Sequence, residues 1–209
     1  IVITAPVSVP YKRFSIATTQ HWAGSALRGL VDASGISHKD MDGLSIASFG
    51  LAPDSGISLT QHFGMTLRYL DTVPLGGAAA IVSLRRAARA VQSRDADVVA
   101  CIGADTNHPD TFRQSLANFS RFAQDAVYPM GAGGANASFA LLTRHYMQRY
   151  GVTREDFGRI CVAQRENALK NPHAMMRKPL TMDDYMAGRP VSPPVHLFDC
   201  VMPCAGAEA

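Results

Sequence analysis

Apolar residues recur along the chain at two spacings, one helical and one extended. Within residues 18–34, Trp22, Ala26, Leu27 and Leu30 share one helical face, and Gly35 follows as a stop signal. The β-branched run at residues 1–4 predicts a first strand. Ser37 to Asp40 reads as a capped helical turn leading to a strand near 43–48. Residues 57–63 suit a short helix and 67–73 a strand. From 78 to 93, Ile81, Leu84, Ala88 and Val91 form one apolar stripe, the side such a helix lays on a core, opposite Arg85, Arg86, Arg89 and Gln92. The next segment, VVACIG at 98–103, is continuously apolar, as in a strand covered on both faces. Strands alternating with helices predict an α/β fold with a parallel core.

After Asp105 the texture changes. Residues 106–134 are polar and turn-rich and end in the run GAGG at 131–134. A helix is expected over 135–150, closed by Gly151, and another from a Thr153–Asp156 cap to Pro172. Thr181 and Asp184 cap a short third helix, after which Pro190, Pro193 and Pro194 punctuate the chain. The expected organisation is an α/β domain at 1–105, a helical lobe at 106–198 and a segment at 199–209 that returns to the first sheet.

Composition narrows the function classes. Of 209 residues, 47% are hydrophobic and 18% charged, which is globular. The net charge of +3 is spread over scattered basic residues, so a nucleic-acid footprint is not expected. No apolar stretch approaches the roughly 20 residues of a membrane span, and the first ten residues lack the basic start of a signal peptide. Cys101, Cys161, Cys200 and Cys204 form no C-x-x-C pair, so neither a zinc site nor a disulfide framework is indicated. Reduced thiols in a cytoplasmic protein are the expectation.

The stretch VPLGGAAA at 73–80 joins a strand to a helix through Gly76 and Gly77. Such a turn either serves the backbone alone or lets a ligand approach free amides at a helix start. No Ser, Cys, Thr or Lys stands there to attack a substrate. The spacing is not that of a dinucleotide-binding G-x-G-x-x-G, and no G-x-S-x-G marks a serine nucleophile. Cys101 and Cys161 read as core packing, Cys200 and Cys204 flank a proline loop without a visible base, and the seven histidines are dispersed.

Several segments in a shared order resemble the thiolase superfamily, especially its sterol-carrier-protein-type acetyl-CoA acetyltransferase branch. TTQHWAGSALRGLVDASGISHKDMDGLSI resembles its first helix and the D-x-D-G approach to the next strand. GGAAAIVSLRRAARAVQSRDADVVACIGAD resembles its nucleophile helix and following strand. FALLTRHYMQRYGVTREDFGRI, ENALKNPHAMM and LTMDDYMAGRPV resemble pieces of its loop lobe, and HLFDCVMPCAGAEA the segment that usually ends in S-D-G-A-A-A. The resemblance implies a layered α/β/α/β/α fold of two similar halves in a homodimer, of which this chain is the N-terminal half with its lobe.

It also places the family's nucleophilic cysteine at Gly77, so no catalytic residue is assigned. Gly76, Gly77 and Ala78, with Val201 and Met202 along the pantetheine channel, become the expected substrate-binding positions. Cys204 and Ala205 replace the usual Ser and Asp, and Glu208 an Ala. Coenzyme A then enters as a thioester substrate; no cofactor or metal is implied. The leading expectation is an acyl-CoA-binding protein without the thiolase cysteine, carrying retro-aldol carbon–carbon lyase chemistry. The alternatives are an acyltransferase with its nucleophile moved to Cys200 or Cys204, and a non-catalytic subunit paired with a small OB-fold, zinc-ribbon protein that carries acyl-CoA.

Overall fold

The structure, a computed structural model, describes residues 1–51, 55–114, 124–131 and 134–209. Its strands are β1 (Ser8–Lys12), β2 (Gly43–Ala47), β3 (Tyr69–Thr72), β4 (Val99–Asp105), β5 (Pro190–Ser192), β6 (Val195–His196) and β7 (Ala205–Glu208). Its helices are α1 (Thr19–Ser34), α2 (Ser55–Phe63), α3 (Ala79–Ser93), α4 (Gln124–Val127), α5 (Gly134–Tyr150), α6 (Arg154–Lys170) and α7 (Met182–Met186). The chain divides into two compact units, Ile1–Pro109 with Cys204–Ala209, and Asp110–Pro203. Among the described residues no helix is long and apolar enough to cross a membrane.

The first unit is an α/β structure around a five-stranded sheet ordered β1-β7-β4-β2-β3. β2 pairs in parallel with β3 and β4, whereas β7 runs antiparallel between β1 and β4. Alternation along the strands sends Leu44, Ile46, Ala100, Ile102, Ala104, Ala205 and Ala207 into one core with Trp22, Ala23, Ala26, Leu27 and Leu30 of α1. Thr18 caps α1 by accepting from the His21 N–H (3.2 Å), and Gly35 closes it in the left-handed conformation (φ 71°).

Two sequence expectations change here. The run at 1–4 is not a strand: Ile1, Val2 and Ile3 are exposed, and pairing with the β7 segment begins only at Val7, which exchanges backbone hydrogen bonds with Ala209. A β-branched run without a neighbouring strand gains nothing from its propensity. On α3 the buried residues are Ala79, Ser83, Ala87 and Ala90, while Ile81 is 72% exposed and Leu84 39%. Small side chains bring this helix close to the sheet, where Ser83 Oγ donates to Ser45 Oγ (2.7 Å), and the large apolar residues are left facing outward. Glu208 is a cross-strand partner: Ser8, opposite it in the ladder, donates its hydroxyl at 2.5 Å. Burial, followed by a hydrogen bond with Glu208, raises the Tyr11 pKa.

At the start of the parallel strands, the Asp42 carboxylate accepts the N–H groups of Asp97 (2.9 Å) and Val98 (2.8 Å) and the Arg68 guanidinium (3.1 Å). The Asp42 carbonyl accepts from Arg68 and Tyr69, so one residue ties together the starts of β2, β3 and β4. Burial pushes the Asp42 carboxyl up, but the hydrogen bonds from Val98 and Asp97 and the Arg68 charge outweigh it and hold it below the usual value.

The second unit packs α6 against α7 and also holds the antiparallel β5–β6 pair. Thr153 and Thr181 start α6 and α7, each with its N–H and hydroxyl bonded to the carboxylate three residues on, Asp156 and Asp184. Tyr185, 1% exposed, donates its hydroxyl to Asp199 (2.6 Å), and the Arg154 guanidinium lies 5.3 Å from its ring centre. Gly158 gives that ring its room: a methyl group there would stand 2.6 Å from Met182 Sδ and 2.7 Å from Tyr185 Cδ1.

Two measurements follow from these contacts. Asp42→Asn is expected to lower the unfolding free energy by about 1–3 kcal/mol, the range for hydrogen bonds to a charged acceptor. Because the folded pKa is depressed, that contribution is present above the ordinary carboxylate value of about 3.9 and lost as pH falls through the folded value. Urea titrations should therefore show the gap between wild type and variant narrowing in acid, and a gap that widens there would contradict this assignment. Gly158→Ala, which overpacks the Tyr185 ring, should cost about 1–3 kcal/mol, visible as a lower urea midpoint.

Candidate functional site

The parallel strands end where the glycine turn begins. Beyond β3, Val73 is buried and donates to the Ile46 carbonyl (2.8 Å), and Pro74 and Leu75 then carry the chain outward. Gly76–Ala78 forms a single 3-10 turn that runs directly into α3. No side chain caps this helix start, and its first turn carries no acidic residue. The two glycines differ. Gly76 is left-handed (φ 56°), a conformation that disfavours any side chain. Gly77 is not, and a Cβ built there meets none of the described residues within 4 Å. A cysteine would fit at 77 without strain, so the fold itself does not exclude a thiol from this position.

A second loop meets the turn from β2. The Asp105 carboxylate, at the end of β4, accepts from Ser48 Oγ (2.8 Å), Phe49 N (2.9 Å) and Gly50 N (2.7 Å). Ser48 Oγ in turn accepts from the N–H groups of Gly50 (3.1 Å) and Leu51 (3.2 Å). This arrangement holds Phe49 60% exposed, with its Cε1 and Cζ 3.6 Å from a Cβ built on Gly76. Beside it, Thr106 Oγ1 donates to the Ala17 carbonyl (2.7 Å) and Asn107 Nδ2 to the Arg13 carbonyl (2.7 Å), fastening the segment between β1 and α1. The carboxyl ends of parallel strands are where open α/β sheets take ligands. Here they gather Gly76, Gly77, Ala78, Phe49 and Asp105.

The remaining candidates lie elsewhere. Val201 and Met202 belong to the second unit, outside its helices and strands; Val201 is 81% exposed and Met202 half-buried. Of the GAGG run, Ala132 and Gly133 lie outside the described residues. Burial raises the pKa of all four thiols. Cys161 and Cys200 point at backbone carbonyls, of Phe198 (3.5 Å) and His196 (3.3 Å), and Asp199 raises both further. At Cys204, Arg13 opposes the burial effect and Asp105 adds to it. A thiol is nucleophilic as thiolate, so none of these is activated at neutral pH. Among the described residues no cluster of three His, Cys, Asp or Glu could hold a metal ion.

Sequence comparison sets this frame among known proteins. A "Steroid side-chain-cleaving aldolase" of Thermomonospora curvata is 33% identical over 195 residues, covering 88% of this chain and 49% of that protein. The "17-hydroxy-3-oxo-4-pregnene-20-carboxyl-CoA lyase" of Mycobacterium tuberculosis is 32% identical, covering 90% and 50%. The solved "Ltp2-ChsH2(DUF35) aldolase" superposes with a TM-score of 0.81 at 29% identity, over 99% of this chain and 53% of that one. A monomeric SCP2-thiolase like protein of Mycobacterium smegmatis, only 13% identical, shares the fold with a TM-score of 0.70 over 98% of this chain and 44% of its own. The chain belongs to the thiolase superfamily. This thiolase-like chain spans about half the length of the curated relatives it matches. No protein-family model matches it.

Sequence reasoning misses Phe49 and Asp105. The available signal is a Phe-Gly pair after one predicted strand and an Asp closing another, both where α/β ligand sites form. Gly77→Cys tests how this thiolase-like turn treats a thiol. The variant should unfold within about 0.5 kcal/mol of wild type. At the helix start the introduced sulfur should be alkylated by iodoacetamide faster than the four native cysteines. Peptide mass spectrometry after timed labelling reads the order, and an introduced thiol slower than the native ones would contradict the open geometry.

Proposed function

We propose that this chain forms part of a carbon–carbon lyase that cleaves a CoA thioester by a retro-aldol reaction, without an acyl-cysteine intermediate. The carrying observation is Gly77: an open, side-chain-free residue where the resemblance puts the thiolase nucleophile. The activities named for the relatives, an aldolase and a CoA lyase, support the same class. In the reaction a base removes the proton of a β-hydroxyl, its oxygen becomes a carbonyl, and the Cα–Cβ bond breaks. The bonding pair passes into the thioester as an enolate, and protonation at Cα gives the shortened acyl-CoA. Atoms and electrons balance with no covalent enzyme adduct and no cofactor. What the protein must supply is positioning and stabilisation of enolate charge. The N–H groups of Gly76 and Gly77, at the start of the turn that leads into α3, suit the thioester oxygen.

In this reading Gly76, Gly77 and Ala78 bind the thioester end, while Val201 and Met202 remain pantetheine positions on the resemblance alone. A homodimer in the cytoplasm is the assembly the resemblance favours. The two-component name of the ChsH2(DUF35)-containing aldolase supports a small acyl-CoA-carrying partner protein. The raised pKa values of Cys200 and Cys204 weigh against a displaced nucleophile.

The test uses the full-length protein with its co-purifying partner and a β-hydroxyacyl-CoA. Mass spectrometry should detect the carbonyl product and the shortened acyl-CoA, and prior alkylation with iodoacetamide should leave the rate within about twofold. Acetyl transfer from acetyl-CoA that is abolished by alkylating a single cysteine would overturn the proposal.

A further inference from the structure

We infer that residues 165–178 form an anion site for a nucleotide with phosphates at two places on its ribose, the 3′,5′-bisphosphate end of a CoA thioester. The anion site stands on its own observations; the choice of nucleotide rests on the thioester reading above. Along the sequence the basic residues look scattered, but here the fold gathers them. Arg165, Lys170, Arg177 and Lys178 stand against Glu166 alone, a net +3 within this stretch. The whole chain, with 20 basic and 17 acidic residues, also carries +3, so outside the stretch the two signs balance. Among the described residues none of these four cations makes an ion pair, whereas Arg68, Arg86 and Arg159 each do.

The stretch is ordered by its own hydrogen bonds. α6 ends at Lys170, and the Asn171 carbonyl accepts from the Ala174 N–H (3.2 Å) to turn the chain back. The Asn171 side chain takes the His173 N–H (2.9 Å). Arg177 then donates to the Pro172 carbonyl, and Arg165, on α6, donates to the Lys178 carbonyl (2.8 Å). Both guanidiniums thus brace a returning strap, along which Lys170 and Lys178 are exposed. Like charges drawn together cost folding energy unless a counter-charge joins them. The dipole of α6 favours a cation at Lys170, in its last turn, but not at Lys178, whose carbonyl is held further back at Arg165.

The spacing points to the ligand. Arg165 and Lys170 are about 7.5 Å apart along the helix axis, so Lys170 and the Arg165–Lys178 contact make two cationic points. Phosphates on two ribose positions match such a pair better than a single phosphate does. A CoA thioester carries that bisphosphate, and none of Gly76, Gly77, Ala78, Val201 and Met202 has a cation to meet it. The exposed His173 ring and Met176, 42% exposed, add surface on which an adenine can lie.

The experiment measures equilibrium binding of adenosine 3′,5′-bisphosphate, adenosine 5′-monophosphate and inorganic phosphate to the full-length protein. Wild type should bind the bisphosphate about tenfold or more tighter than the other two, with affinity falling as salt rises. Lys170→Gln with Lys178→Gln removes two charges and neither brace, and should weaken the bisphosphate about fivefold or more. Lys170→Arg with Lys178→Arg keeps the charges and should stay within about twofold of wild type. Arg28→Gln with Lys39→Gln removes as much charge from the first unit and should also stay within about twofold, which separates a site from net charge. A glutamine pair at 170 and 178 that binds like wild type, or a control pair that loses as much, overturns the inference and leaves the lyase reading standing. Wild type that binds none of the three overturns it as well, and inorganic phosphate bound as tightly as the bisphosphate overturns the nucleotide assignment. The expected pattern in a protein that does not cleave a β-hydroxyacyl-CoA overturns the lyase reading and keeps the site.

Discussion

The closeness of α3 to the sheet is the constraint from which the rest of the first unit follows. Only small residues, Ala79, Ser83, Ala87 and Ala90, lie between them, and Ser83 reaches across to hydrogen-bond Ser45 on β2. A large side chain on that face would lift the helix and move its start away from the strand ends. Because the face is small, the helix axis is fixed and the Gly76–Ala78 turn is delivered to the carboxyl edge of β2, β3 and β4. The same choice leaves Ile81 and Leu84 on the outer face of α3.

Two aspartates then hold the strands at opposite ends, and they do different work. Asp42 collects N–H groups and a guanidinium where the parallel strands begin, so it fixes register and serves stability. Asp105 collects a hydroxyl and two N–H groups where they end, and what it orders is an exposed loop carrying an exposed ring. Both spend a carboxylate on backbone donors, which is a strong use of a charge because the bonds are charge-assisted. Order at the carboxyl ends of the strands thus comes from an acid whose carboxylate is already engaged by the loop.

Much of this is legible in the sequence, and the losses have physical causes. The Thr18 cap, the Gly35 stop and the helix between them are local signals, and the structure keeps them. The ordered series of segments carries the superfamily and its α/β fold. Residues 1–4 mislead because strand propensity does not reveal whether a partner strand is present. The α3 stripe misleads because periodicity ranks side chains by hydrophobicity, whereas the packing here selects them by size. Phe49 and Asp105 escape because their bond joins positions 56 apart, and nothing local in either segment announces the other. Val201 and Met202 rest on resemblance, and the fold places them in a different unit from the turn.

The paired glycines separate what the backbone demands from what the chemistry leaves open. At Gly76 the left-handed φ gives a backbone reason for glycine. At Gly77 there is none among the described residues: the conformation is ordinary, and a Cβ there meets no described atom within 4 Å. Among the described residues neither backbone nor packing calls for glycine there, which agrees with the proposed reaction. Acyl transfer through cysteine needs sulfur at the attack point, because the thioester must be exchanged for a bond to the enzyme. Retro-aldol cleavage leaves the thioester intact, breaks a bond one carbon further out and needs room around that carbon while the enolate forms. A residue that contributes an N–H and no side chain meets the second requirement and cannot meet the first.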